Sequence, residues 1–202
     1  DLENITKETA CVIIEPVQGE AGVIPGNHDF ITSLRKQCTE TGSLLVFDEV
    51  QTGFGRTGTM FAFDQYGVVP DILVIAKGMG GGMPIGAFIS STEIMQSLSR
   101  NPALGHITTF GGHPVSCAAA LANIEVIISE KLVEQVHTKS FLFRKLLAGH
   151  SAVKDFRSAG LLIALELENE KQVQTVIHQC LAEGIILDWF LFNPKSIRIA
   201  PP

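Results

Sequence analysis

No stretch of this chain approaches the roughly 18 consecutive apolar residues that a bilayer-spanning helix needs, so no membrane span is expected. Basic stripes are equally missing. With 15 Lys and Arg against 21 Asp and Glu, the net charge is -6, which argues against nucleic acid as a partner, because phosphate binding calls for clustered cations. The four cysteines, Cys11, Cys38, Cys117 and Cys180, include no C-x-x-C pair and are expected to be reduced, buried thiols of a cytoplasmic protein. The six histidines show no pair at metal-ligand spacing, so no metal is expected. Internal repeats and low-complexity tracts are lacking as well. Before Asp1 there is no initiator methionine, and no charged or apolar leader region follows it. The chain is expected to be an interior piece, cut at both ends. What is present is core material: 202 residues, 46% of them hydrophobic, suffice for one good-sized core or two small domains, and disorder is excluded.

Two short apolar runs, Leu44-Leu45-Val46-Phe47 and Ile72-Leu73-Val74-Ile75, organise the chain. Continuous runs of this length, bounded by polar and glycine-rich segments, read as parallel strands buried on both faces. Each leads to one ionisable side chain, Asp48 after the first and Lys77 after the second. Ligands of α/β sheets bind beyond the carboxyl ends of the strands. A carboxylate and an amine there suit pyridoxal 5'-phosphate, whose ring nitrogen is kept protonated by an acid and whose aldehyde combines with a lysine. A surface lysine fits poorly directly after an apolar strand, because a buried ammonium is costly.

Upstream, residues 10 to 16 read as a buried strand ending at Glu15, followed by a loop, Gln18 to Gly22, that holds Glu20 between two glycines. By spacing alone Glu20 reads as a solvated loop carboxylate. His28 to Thr41 has helical spacing, with Phe30, Leu34 and Cys38 on its apolar face, and Gly42 stops it. Gly53 to Gly58 matches G-x-G-x-x-G, but it does not follow its strand directly and opens no helix, so it is read as a loop packed close to the site. Leu44 to Glu49 also resembles the acidic strand of P-loop ATPases, yet no G-x-x-x-x-G-K-[ST] accompanies it.

After Lys77, Gly78 to Pro84 reads as irregular backbone able to approach a ligand. A strand at Ile85 to Ser90 and a short helix at Thr92 to Leu98 follow. In the polar loop Asn101 to His113, Thr108, Thr109 and Gly111-Gly112 could cradle a phosphate or form an ordinary surface loop. Pro114 starts a helical region reaching about His150, with a break near Ser129-Glu130 and an apolar face of Ala118, Leu121, Ile124 and Ile128. Strands at 153–156, 161–167, 185–190 and 196–200, with a helix at 171–183, suggest a smaller α+β layer. The division expected is 1–150 and 151–202.

Five ordered motifs turn this pattern into a resemblance: Glu15-Pro-Val-Gln-Gly-Glu20-Ala-Gly, Phe47-Asp48-Glu-Val-Gln51-Thr-Gly-Phe-Gly-Arg-Thr-Gly58, Pro70-Asp-Ile to Ala76-Lys77-Gly, Thr108-Thr109-Phe-Gly-Gly-His-Pro114 and Ile197-Arg198-Ile-Ala-Pro-Pro202. Spread over nearly the whole chain, they resemble the class III pyridoxal-phosphate aminotransferases of fold type I. The resemblance implies an α/β fold: a three-layer large domain with a mostly parallel sheet, here its C-terminal part, joined to the first part of a small α+β domain. It implies that Lys77 carries the cofactor as a Schiff base and shuttles the proton, that Asp48 holds the ring nitrogen, that Val50 packs on the ring and that Gln51 contacts the ring hydroxyl. Thr109 would reach the phosphate of a neighbouring subunit's cofactor, which implies a homodimer with shared sites.

In ornithine-type members, the arginine matching Arg198 forks onto a substrate carboxylate, and the glutamate matching Glu20 pairs with it when an ω-amine is bound. A structural salt bridge is the plainer alternative for both. The implied activity is ping-pong transfer of an amino group from an ω-amino acid or diamine to the 2-oxo acid 2-oxoglutarate. Acetylornithine and 4-aminobutyrate aminotransferases, glutamate-1-semialdehyde aminomutase and a catalytically incomplete fragment are the alternatives. His113 departs from the family's usual asparagine, and Arg157 to Gly160 departs from a more glycine-rich turn. The family's upstream phosphate loop and ring-stacking aromatic are not in these residues.

Overall fold

The computed structural model describes residues 2–202. The first sheet holds β1 (Cys11–Ile14), β4 (Leu44–Asp48), β5 (Ile72–Ile75) and β6 (Ala87–Ser90) in that spatial order. β1 and β5 flank β4 in parallel, and β6 closes the edge antiparallel to β5. Between β1 and β4, a two-stranded ribbon, β2 (Val17–Gln18) with β3 (Ile24–Pro25), carries the Glu20 loop at its tip.

α1 (His28–Thr41) is the crossover between β1 and β4. The Asn27 side chain caps it by accepting from Phe30 N at 3.1 Å, and Gly42 ends it in the left-handed region at φ 79°. Its buried stripe is Ile31, Leu34 and Cys38, packed on Leu45, Phe47, Leu73 and Ile75. Phe30, expected on that face, is 41% exposed. Ile31, one position on, takes its place, because side chains spaced three and four apart share a stripe and 31, 34 and 38 fit that spacing.

The run of β4 is buried on both faces, as its composition implied, with Leu45, Val46 and Phe47 all in the core. In β5, Leu73 and Ile75 are buried and Ile72 and Val74 only half-buried, and β1 is open on one face. The face packed on α1 is closed, but on the opposite face Cys11 is exposed and Ile13 is 68% exposed, since no described element of the chain covers the β1 edge. Cys117 is exposed too, so the expectation of buried thiols holds for Cys38 and fails for Cys11 and Cys117.

A short helix α2 (Thr92–Gln96) follows β6. Two long helices then come, α3 (Pro114–Ser129) and α4 (Leu132–Leu147), broken at Lys131, which has φ 52°. His113 stands at the N-cap of α3 and its Nδ1 accepts from Val115 N at 3.3 Å, so the ring does the capping work of an asparagine. The stripe of α3 that packs is Ser116, Ala120 and Ile127, whereas Leu121 and Ile128 of the expected face are 59% and 61% exposed. α3 is apolar nearly all round, so periodicity could not choose a stripe. The small residues decide it, because they allow close approach to the glycine-rich turn after Lys77.

The second sheet has the order β7 (Asp155–Ala159), β8 (Leu162–Glu166), β10 (Ser196–Ile199), β9 (Asp188–Trp189) and is antiparallel throughout. The strand expected over 185–190 contracts to β9. α5 (Glu170–Ala182) packs Val173 and Ile177 on one face with Phe156, Ile163, Leu165 and Ile197. The other face, Leu162 and Ala164 with Phe190, meets Val17 and Val23 beside the Glu20 loop. Both faces of β8 are therefore buried, and the sheet is seated on the very loop that carries Glu20. No described helix is long and apolar enough to cross a membrane.

Candidate active site

β4 and β5 set the positions of the two central residues. Asp48 is registered opposite Val74, and Glu49 N donates to Val74 O at 2.9 Å, so the ends of both strands lie side by side with Lys77 three residues past Val74. The Asp48 carboxylate accepts from Val50 N at 3.0 Å through Oδ1, which fixes its orientation. Next to it, Glu49 is fully buried. Burial pushes its carboxyl up from the ordinary value, against three donors that favour the charge: Ala62 N at 2.6 Å, Phe63 N at 2.8 Å and Thr52 Oγ1 at 2.9 Å. Glu49 is thus an internal staple for the loop after β4 rather than a group offered to a ligand.

Lys77 is exposed, not buried as the apolar run before it implied. The chain leaves the sheet at Ala76, and Lys77 begins a single 3-10 turn, Lys77–Gly80, at φ 43°. This turn also replaces the fully irregular backbone expected there. Asn123 of α3 holds it by donating to Gly78 O at 2.7 Å, and Gly81 lies so close that a β-carbon would sit 2.9 Å from Asn123 Cβ. Asn123 was not foreseen. A lone amide on an otherwise apolar helix was its signal.

Lys77, Val50 and Gln51 line one cavity of about 600 Å³ together with Arg56, Lys139 and Arg198. Its wall contains no carboxylate. Arg198 reaches it through strand alternation: it is registered opposite Ala164, on the face of the second sheet that meets the Glu20 loop, while Ile197 points to the α5 side. There Arg198 donates to Glu20 Oε1 at 2.8 Å and to Gln51 Oε1, and Gln51 Nε2 donates to the same Glu20 oxygen at 2.9 Å. Leu191 N adds a bond to Glu20 Oε2 at 3.1 Å.

Burial raises the Glu20 carboxyl, but the bonds from Gln51 and Leu191 and the Arg198 charge outweigh it, and its pKa lies below the ordinary 4.5. Glu20 is therefore not a solvated loop carboxylate. Gly19 makes room, since a β-carbon there would sit 2.7 Å from Gln51 Oε1. Arg157, one of the departures noted in the sequence, fastens the same loop from the second sheet by donating to Gly22 O at 2.8 Å.

Thr109 is not brought to this cavity. It is exposed and lines a separate hollow of about 520 Å³ with Thr108, Gly111, Gly112 and His113. Among the described residues no group of His, Cys, Asp and Glu is arranged to hold a metal ion.

A mostly parallel α/β sheet with an aspartate and a lysine at adjacent strand ends, seated beneath a small antiparallel sheet, defines the fold type I architecture of pyridoxal-phosphate transferases. Within that architecture the chain belongs to the class III aminotransferases: the family pattern described as Aminotransferase class-III matches residues 1–202. Solved structures agree. The chain superposes on an aminotransferase from Bacillus anthracis with a TM-score of 0.89 at 30% identity, covering 100% of this chain and 51% of that one. For the ornithine aminotransferase of Toxoplasma gondii ME49 the TM-score is 0.89 at 31% identity, with coverages of 100% and 48%. For the acetylornithine aminotransferase of Elizabethkingia anophelis it is 0.89 at 33% identity, with coverages of 100% and 54%. The chain spans about half the length of these relatives.

Proposed function

We propose that this chain supplies the lysine-bearing half of an aminotransferase that moves an amino group from an ω-amino acid or diamine of the ornithine type to 2-oxoglutarate. The observation that carries this reading is the Glu20–Arg198–Gln51 network opening onto the cavity that Lys77 also lines. A forked guanidinium suits a carboxylate, and a glutamate already paired with it can screen its charge when the occupant is cationic. One pocket then serves a cationic donor and a dianionic acceptor in alternate half-reactions.

The residues present fit pyridoxal 5'-phosphate. Lys77 offers an exposed amine at the cavity rim, Asp48 stands at the adjacent strand end outside the cavity wall, with no hydrogen bond to its Oδ2 among the described residues, and Gly78 and Gly82 leave the wall open to close approach. When bound, this cofactor supplies an electrophilic aldehyde and a ring that takes up the electron pair released at the substrate carbon. Lys77 would hold it and, once freed, pass a proton from one carbon to another as base and then acid. Asp48 would keep the ring nitrogen protonated. Val50 would give the ring an apolar floor, and Gln51 would orient its hydroxyl while anchoring Glu20.

Thr109, on its separate exposed loop, fits a phosphate belonging to a second copy, so a homodimer with shared sites belongs to this proposal, as does a cytoplasmic location. So does the division of the chain at about residue 150 into the end of a large domain and the start of a small one. The structural likeness to an acetylornithine aminotransferase, at 33% identity, favours N-acetylornithine as a second donor candidate.

Borohydride reduction of the parent protein loaded with cofactor, followed by peptide mapping, tests the centre of the reading. A pyridoxyl group on the peptide holding Lys77 is expected, and labelling of another lysine overturns the assignment. Incubation with ornithine, N-acetylornithine, putrescine or 4-aminobutyrate should then yield glutamate only when 2-oxoglutarate is supplied. Product formed without an acceptor would indicate a mutase instead.

A further inference from the structure

Lys77 is held in a backbone conformation that a lysine resists. Its φ of 43° lies in the left-handed region, where the β-carbon crowds the next carbonyl and glycine is the usual occupant. A residue opening a 3-10 turn ordinarily has φ of about −50 to −70°. Strain of this kind persists only where the surroundings over-determine it.

The surroundings of the turn are well defined. Met79 N donates to Ala76 O at 3.0 Å, and the Met79 side chain packs against the core beneath β4 and β5. From α3, Asn123 Nδ2 donates to Gly78 O at 2.7 Å and to Met79 O at 3.4 Å, one amide group serving two carbonyls with its two hydrogens. Gly81, at φ 55°, lets the helix come this close, since a β-carbon there would also stand 3.3 Å from Ala119 O. For the helix itself Asn123 is a poor choice. Asparagine is a weak helix former in a helix interior, yet it stands between Ala122 and Ile124 in the middle of α3. Both side-chain hydrogen bonds that it makes among the described residues go to the turn. A residue that breaks the local rule of its own element and spends its donors on the neighbouring one points to a site being held.

We propose that Asn123 is a positioning residue for Lys77: by clipping the carbonyls of Gly78 and Met79 it keeps Lys77 left-handed and so fixes where the amine stands on the cavity that both residues line. This rests on the aminotransferase reading and deepens it. Rotation of Lys77 about its N–Cα bond towards the right-handed region would swing its side chain and the following carbonyls together, relative to the end of β5. A clip on those carbonyls therefore acts on the amine. One hydrogen-bonding side chain and the strain of one left-handed residue are of similar size, so the clip is enough to tip the balance.

The test uses the parent holoenzyme with Asn123→Leu, which keeps the bulk and removes the donors, and Asn123→Gln, which keeps the donors on a longer stem. Each half-reaction is followed in single turnovers over a range of substrate. Because Lys77 serves both, Asn123→Leu is expected to lower the saturating rates of both by the same factor, about tenfold. The half-saturating concentrations of donor and 2-oxo acid should stay within about twofold of wild type, and Asn123→Gln should recover part of the rate. A second measurement needs no turnover. In the cofactor-free parent protein, the amides of residues 78–83 should exchange hydrogen about tenfold faster in Asn123→Leu, with exchange in α1 and β4 and the urea midpoint unchanged. Leucine is the better helix former, so a merely structural Asn123 predicts equal or greater stability with wild-type rates. Unchanged rates with unchanged exchange at 78–83 would overturn the proposal. So would losses spread alike over rates, half-saturating concentrations and exchange of the whole molecule, which would make Asn123 a packing residue. Should Asn123→Leu not fold, Asn123→Ala decides on the same measurements. A wild type that transaminates no donor would defeat the functional reading, while exchange at 78–83 would still judge the clip.

Discussion

Glu20 keeps a charge where its side chain is only 19% exposed, and it can do so because donors converge on both carboxylate oxygens. Bonds of this charge-assisted kind contribute roughly 1.5–3 kcal/mol each. They also link stability to pH. The folded value lies below the ordinary 4.5, so the contribution is fully present above that value and disappears as the pH falls through the folded one. Urea midpoints measured between about pH 6 and pH 3 should therefore fall more steeply for the wild type than for Glu20→Gln, and the two should converge in acid. Parallel curves would show that the pair adds no pH-dependent stability. Only the family resemblance implies that Arg198 and Glu20 meet. Residue spacing by itself favoured a solvated Glu20, because nothing local announces that a strand 178 positions later will lie across it.

At the scale of elements, the contact that seats the second sheet is the β7–β8 turn against the glycine loop. Gly160 has φ 58°, and a β-carbon there would lie 2.6 Å from Arg56 O. Gly160→Ala should thus cost the left-handed strain of about 1–2 kcal/mol and push the turn off the loop as well. Gly184 is the control, since it has φ 80° but open space around it. The expected result is a clearly larger loss of stability for Gly160→Ala than for Gly184→Ala in denaturant titrations, with faster hydrogen exchange at the Leu161 amide. Equal losses would mean that the turn is free to move. The same scale explains α3, whose packed stripe is chosen by Asn123 and small residues meeting the turn after Lys77, not by the best apolar periodicity.

Over the whole molecule, apolar surface is left bare on Leu121 and Ile128 of α3, Phe141 and Leu146 of α4, Ile107 and Phe110 of the loop before α3, Ile13 on the open face of the first sheet, and Ile186, Leu191 and Phe192 around β9. Patches of that kind are seldom left to water. Expressed alone, these 202 residues are expected to self-associate with rising concentration in sedimentation velocity, and Leu121→Gln with Ile128→Lys should weaken the association without loss of helical signal. A monomer at all concentrations would show that these surfaces are compatible with water as they stand.

The sequence by itself determined the principal helices and central strands and their order. The apolar runs of β4 and β5, the Gly42 end of α1 and the break between α3 and α4 all follow from local rules of period and backbone freedom. Tertiary structure alone decided which faces are covered, and it did so against expectation at Cys11, Ile13, Phe30, Leu121 and Ile128. Burial depends on what packs opposite, and no local pattern carries that. It likewise decided that Lys77 stands exposed at a cavity rim, that Glu49 is a buried staple and that Arg56 reaches across to Leu161 and Pro201. These are pairings between residues 13 to 145 positions apart, made by the docking of one layer on another.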